Sequence, residues 1–425
     1  MSGSSRNQQY FEAVKTTVEK ALNAGIIHLS TEDEQFDGRT IKLDGQSHVN
    51  FSSCSYLGLE LDPRLKAAAR DAVDRFGTQF SSSRSYVSLG LYEELEGLLG
   101  EIFHKPVIVA PTTTLGHMSM IPVLVGDNDV VILDHQVHAS VNMASQLVRA
   151  RGVKVEVIRH NNLDMLEQKI QLLQEKHDKI WYMADGLYSM FGDGAPMQEL
   201  KALHDKYDKL HLYIDDAHGV SWHGLHGRGY ALEQLQGEWP ERMYFTGSMA
   251  KSFGCVGGIL VFPNEEARQI VRGWGGTMIF SGPIQPPLLA AAIASVRIHL
   301  SSELPALHSR LKRRIKTFNE TAVALGLTPT SMEMTPIRFI KLGNYDLGFK
   351  LVEEIKKQGF YMNLAAFPSV PYKDTGLRFT LNNHQTEADI QNVLYTVRDQ
   401  WEKLAKDMNI AMPEPMETAP TRIAV

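Results

Sequence analysis

From about residue 106 to 262 the chain alternates short apolar runs with stretches whose apolar residues recur every three or four positions. The runs Val107–Ala110, Val130–Leu133, Val153–Ile158, Ile180–Ala184, Leu210–Ile214 and Met243–Phe245 read as strands. Ile259–Phe262 returns after the last of them. Such alternation predicts an α/β domain with a mainly parallel sheet, and ligands of such sheets sit beyond the carboxyl ends of the strands.

Upstream, Tyr10, Phe11, Val14, Val18 and Leu22 fall near helical spacing and predict an amphipathic opening helix over residues 8–24. Asp44-Gly45 sits between two alternating segments, a hairpin signal because both positions tolerate positive φ. Helices are expected from Asp62, through Leu65, Ala68, Ala72 and Val73, and again over Leu91–Phe103, with a serine-rich loop around Ser81–Ser85 between them. Past Pro286-Pro287 the spacing predicts one long helix over 288–326. Strand, helix, strand and helix then follow at Pro336–Lys341, Gly348–Lys357, Gly376–Thr380 and Glu387–Leu404, a smaller α+β domain. The organisation read from the chain is an N-terminal helix and hairpin (1–55), a large domain (56–290), a small C-terminal domain (291–408) and a tail (409–425).

Composition narrows the function. The net charge of −6 over 425 residues opposes a nucleic-acid or anionic-membrane partner, which needs a positive field. Two cysteines, Cys54 and Cys255, cannot build a disulfide framework, and no apolar run reaches the ~18 residues of a membrane span. A cytoplasmic location is the expectation.

Polar clusters follow the strand-like runs. They are Pro111 to His117, Asp134 to His138, Asp185 to Ser189, Asp215 to Gly219, and a loop of small residues around Lys251. Bulky planar groups can approach a lysine flanked by Gly247, Ser248, Ala250, Ser252 and Gly254, and a desolvated amine is a nucleophile towards an aldehyde. Asp215 at a strand end is costly to bury as an ion unless a cation such as a protonated ring nitrogen meets it. His218 can donate to a ring oxygen and His138 can stack on a flat ring. Thr113, Thr114 and Ser248 offer hydroxyls, and a helix starting after the Thr113 loop offers N–H groups to a phosphate. An aldehyde, a pyridinium nitrogen and a phosphate together describe pyridoxal 5′-phosphate (PLP). A metal reading of His211, Asp215, Asp216, His218, His223 and His226 matches no compact zinc spacing, and Cys255 reads as a packing residue.

The ordered motifs CSYLGL, DHQVHASV, DGLYSMFGDGAPM, IDDAHGVSWHGLHGRG, TGSMAKSFGCVGG and IFSGPIQPP, spread over about residues 40–400, resemble those of the α-oxoamine synthases, PLP enzymes of fold type I. The resemblance implies a PLP-dependent condensation of an amino acid with an acyl-CoA or acyl-carrier thioester, normally with loss of carbon dioxide. It makes Lys251 the Schiff-base lysine and base, Asp215 the partner of the pyridine nitrogen, and His138 the stacking residue. It sets His218 and Ser189 at the phenolic oxygen, Ser248 at the phosphate and Arg378 at the amino-acid carboxylate. Phe280 and Ser281 match a segment that reaches a neighbouring subunit's site, which implies a homodimer with a shared active site. Departures lie at the periphery: Cys54-Ser55 stands where Asn-Asp is common, Tyr92 where histidine is common, Thr112-Thr113-Thr114 where Ser-Gly-Phe is usual, and no arginine lies near Phe367. An aminotransferase would share Lys251 and Asp215, whereas a non-catalytic scaffold subunit would be expected to lack the lysine.

Overall fold

The computed structural model describes residues 6–412, so the expected tail lies outside the described residues from 413 onward. The chain divides into two compact units, one of residues 57–189 with 193–308, the other of residues 1–56, 190–192 and 309–425.

The second of these begins with a helix, Arg6–Asn23, in the predicted place. Its buried positions are Thr17 and Ala21, four apart, while Tyr10, Phe11 and Leu22 of the predicted face are exposed. The hairpin forms as expected: β1 (Thr40–Leu43) pairs with β2 (Gln46–Asn50), and Asp44 and Gly45 take φ of 50° and 76°. Farther along, β10 (Ile337–Lys341), β12 (Asn363–Ala365) and β13 (Gly376–Thr380) form an antiparallel sheet in the order β10-β13-β12, and the two-residue β11 (Phe360–Tyr361) joins β2. Helices Tyr345–Lys357 and Glu387–Asp407 accompany them, the first capped by Asn344 and the second by a Thr386/Asp389 capping box.

The larger unit is built on seven strands, β3 (Val107–Ala110), β4 (Val130–Asp134), β5 (Lys154–Ile158), β6 (Ile180–Asp185), β7 (Leu210–Asp215), β8 (Met243–Ser248) and β9 (Gly258–Val261), in the order β3-β9-β8-β7-β6-β4-β5. Only β9 runs against its neighbours. Alternate residues along each strand feed two apolar layers. Val130, Tyr182, Leu212 and Phe245 pack with helices Gly90–Phe103, Leu163–Leu173, Met197–Lys206 and Pro286–His299, while Val131, Trp181, Tyr213 and Tyr244 pack with Thr113–Leu124, Ala139–Ala150 and Glu265–Trp274. Burial on both faces explains why these strands read as continuous apolar runs.

The single helix expected over 288–326 is two, Pro286–His299 and Leu304–Ala324. The Ser301 hydroxyl donates to the Ile298 carbonyl at 2.7 Å and accepts the Glu303 N–H at 3.2 Å, and Pro305 has no N–H to continue the ladder. Among the described residues no helix is long and apolar enough to cross a membrane.

Candidate active site

Register brings the carboxylates together. Asp185 and Asp215 are paired at the ends of β6 and β7, and Thr246 of β8 is level with Asp215. Thr113, Thr114, His138, Asp215, His218, Ser248 and Lys251, predicted from the sequence, all line one cavity of about 190 Å³, with Asp185 and Ser140. Ser189 and Ser281 are not among its lining residues. The Ser281 hydroxyl donates to the Thr277 carbonyl. Arg378 lies in the other unit, buried on β13, with a guanidinium nitrogen 4.0 Å from Cys54 Sγ.

Asp215 is held by a ring of donors. Its Oδ2 lies 3.0 Å from His117 Nε2, and its Oδ1 accepts the Ala217 N–H at 3.0 Å and the Thr246 hydroxyl at 3.3 Å. Burial pushes its pKa up, but the charge and hydrogen bond of His117, with His138 and Lys251, outweigh burial and hold it well below the usual carboxylate range. Asp215 is therefore ionised. Asp185 goes the other way: burial, then repulsion from Asp215, raises its pKa well above that of an ordinary carboxyl. Two neighbouring carboxyl groups are thus shifted in opposite directions, Asp215 down and Asp185 up.

His138 caps helix Ala139–Ala150, where its Nδ1 accepts the Ser140 N–H at 3.3 Å and lies 2.6 Å from the Ser140 hydroxyl. Its own N–H donates to Asp185 Oδ1 at 2.8 Å. Burial lowers the imidazole pKa, so the ring is neutral with its proton on Nε2. Across the cavity Thr112 caps helix Thr113–Leu124 by accepting the Leu115 N–H at 3.1 Å, and Thr112, Thr113 and Thr114 at this helix end line the cavity. The Thr113 hydroxyl, which the sequence offers to a phosphate, donates instead to the Gly247 carbonyl at 2.9 Å. A Cβ at Gly258 would fall 2.7 Å from Thr113 N, so glycine lets β9 run against this helix end.

An ionised buried carboxylate, an amine, a neutral imidazole and a helix N-terminus around one small cavity fit PLP. His117 and Asp185 were quoted in the loops of the sequence but given no role there. The available signal was a polar residue on the inner face of an otherwise apolar helix, and a second strand ending in aspartate.

A further cluster lies beside this rim. His160 bridges Asp134 (Nδ1 to Oδ1, 2.9 Å) and Asp193 (Nε2 to Oδ2, 2.7 Å). Burial lowers its pKa, but the hydrogen bonds and charges of the two carboxylates outweigh this and raise it to about 9. Because the folded value exceeds the unfolded one (about 6.5), the bridge contributes its full stability below about pH 6.5 and loses it as pH rises through about 9. His160→Gln should therefore cost about 2 kcal/mol at pH 6, progressively less as pH rises from about 6.5, and close to nothing above about 9. Denaturant melts of both proteins across that range check it, and an equal difference at every pH would remove the charge from the account.

Residues 46–397 match the family Aminotransferase class I and II. An 8-amino-7-oxononanoate synthase of Thermoanaerobacter pseudethanolicus is 29% identical over 93% of this chain and 98% of its own length. Another, of Maricaulis maris, is 30% identical over 86% and 90%. The fold is similar to a serine palmitoyltransferase of S. paucimobilis (TM-score 0.84, 24% identity, covering 93% of this chain and 98% of that one) and an 8-amino-7-oxononanoate synthase of Francisella tularensis (TM-score 0.70, 21% identity, 85% and 99%). The chain belongs to the α-oxoamine synthases, the PLP-dependent acyltransferases within the class I and II aminotransferase family, with their fold type I architecture.

Proposed function

We propose that Lys251, Asp215 and His138 carry a reaction in which this chain joins an amino acid to an acyl thioester with loss of carbon dioxide, releasing an α-amino ketone and a thiol. The observation that supports it most is the single cavity shared by Lys251, the ionised Asp215 and a helix N-terminus. PLP bound there supplies an electrophilic aldehyde and, with its ring nitrogen protonated, an electron sink. Asp215 holds that proton. The amine of Lys251 takes the Cα proton of the amino acid, and His138 covers the ring while its Nε2–H donates to the incoming acyl carbonyl. Backbone N–H groups of Thr113 and Thr114, with the Ser248 hydroxyl, would hold the phosphate, and His218 would hold the phenolic oxygen, while Ser189 lies outside the cavity lining. Carboxyl-labelled amino acid and acyl-CoA should give labelled carbon dioxide and free thiol in equal amounts. Conversion of the amino acid to its 2-oxo acid without thiol release would assign transamination instead.

Arg378 is proposed to hold the amino-acid carboxylate, since a planar, permanently charged guanidinium suits bidentate binding. Arg378→Ala should weaken amino-acid binding ten- to several-hundred-fold, about 1.5–3 kcal/mol, with PLP still bound. Equal affinities in spectral titrations of both proteins would put the carboxylate elsewhere.

A homodimer that shares its sites through Phe280 and Ser281 is also proposed. Phe280 is 87% exposed, an unusual position for a large aromatic ring. Sedimentation should give a dimer at assay concentration, and a fully active monomer would contradict it. A cytoplasmic location fits the absence of a membrane-crossing helix among the described residues.

A further inference from the structure

The last turn of helix Pro286–His299 holds the loop that carries Lys251. The Ser295 hydroxyl donates to the Phe253 carbonyl at 2.7 Å, and the His299 ring stacks on Phe253 with centroids 4.1 Å apart and planes 22° from parallel. His299 Nε2 lies 2.8 Å from Ser221 Oγ, which is 3.0 Å from Ser252 Oγ, and Ser252 follows Lys251 directly.

Ser221 has a φ of 81°, a conformation that residues with a Cβ avoid and keep only where the surroundings over-determine it. Here they do. Its N–H donates to the Gly227 carbonyl at 2.7 Å and its carbonyl accepts from His308 Nε2 at 2.8 Å. The same turn carries His218, whose carbonyl accepts the Trp222 indole N–H at 2.7 Å. The His299 tautomer follows from its partners. Nδ1 faces the Ser295 carbonyl at 2.7 Å, which only accepts, so Nδ1 carries the proton. Complete burial lowers the ring's pKa to about 4 and keeps it neutral, so Nε2 offers a lone pair to the Ser221 hydroxyl.

We propose that His299 is a positioning residue for the reacting lysine: through Ser221 and Ser252, and through Phe253, it fixes where the Lys251 amine sits relative to His218 and Asp215. None of His299, Ser221, Ser252 and Phe253 lines the cavity, so their effect on the chemistry passes through the loop. The inference rests on Lys251 being the lysine that bonds PLP.

Ser221→Gly separates positioning from folding. Glycine takes a φ of 81° without strain, which offsets part of the loss of the buried hydroxyl's bonds, so this variant should still fold cooperatively and melt within several degrees of wild type. It should nevertheless shift the pH midpoint of the visible absorbance that PLP acquires on Lys251 by about half a unit or more, and slow turnover about ten-fold. His299→Phe, which keeps the stacking and loses the acceptor, should show the same shift, and His299→Gln should recover part of it. A wild-type midpoint with wild-type turnover in Ser221→Gly and His299→Gln alike overturns the proposal. Failure of the underlying reading looks different: borohydride would then leave no label on Lys251 in the wild-type protein itself.

Discussion

Lys251→Ala is expected to bind PLP and yet turn over about ten-thousand-fold more slowly than wild type, or worse. In the proposed reaction Lys251 does two things: it bonds the cofactor's aldehyde and, once displaced, takes the Cα proton from within the same cavity. Positioned acid–base catalysis alone contributes about 10²–10⁴-fold, and loss of the amine removes the covalent route as well. Occupancy should survive, because the helix N-terminus at Thr113, the Asp215 carboxylate and the His138 ring remain in place around the cavity. Borohydride treatment followed by mass mapping should place the cofactor on Lys251 in wild type and nowhere in the variant. Turnover within ten-fold of wild type would move the base to another residue.

The parts of this molecule that were legible in the sequence are those fixed by local rules. The Asp44-Gly45 hairpin follows from two adjacent positions that accept positive φ, and the strands from runs too apolar to face water on either side. Because β4, β6 and β7 are parallel and end in register, the polar residues just past each run had to arrive at one rim. That is why the sequence groups Lys251, Asp215, His138, His218 and Thr113. What escaped depends on tertiary context. The break between His299 and Leu304 is made by the Ser301 side chain competing for backbone groups, and the helical spacing on either side runs through it. The buried stripe of the first helix centres on Thr17 and Ala21, small residues that a search for large apolar ones passes over. His117 and Asp185 escaped a role because their importance lies in facing Asp215, from a helix and from a neighbouring strand that the sequence does not set side by side.

Asp215→Asn is expected to lower turnover about a thousand-fold while PLP occupancy changes little. In the proposed reaction the carboxylate keeps a proton on the ring nitrogen. A unit charge about 4 Å from another is worth roughly 4 kcal/mol at an effective dielectric constant near 20. Removing it corresponds to about three orders of magnitude in rate. The fold should tolerate the amide because His117 can change tautomer. Against a carboxylate, which only accepts, His117 Nε2–H donates to Oδ2, and Nδ1 lies 2.7 Å from the Tyr213 hydroxyl. Facing an amide N–H, Nε2 can accept instead while Nδ1–H donates to the Tyr213 oxygen, and the Ala217 N–H and Thr246 hydroxyl still meet a carbonyl oxygen. PLP titration, melting temperature and steady-state rates of the two proteins decide the matter. If Asp215→Asn keeps turnover within ten-fold, the proton is held by another acid. The group to test next is then Asp185, its partner on β6, whose own pKa burial and the Asp215 charge already raise.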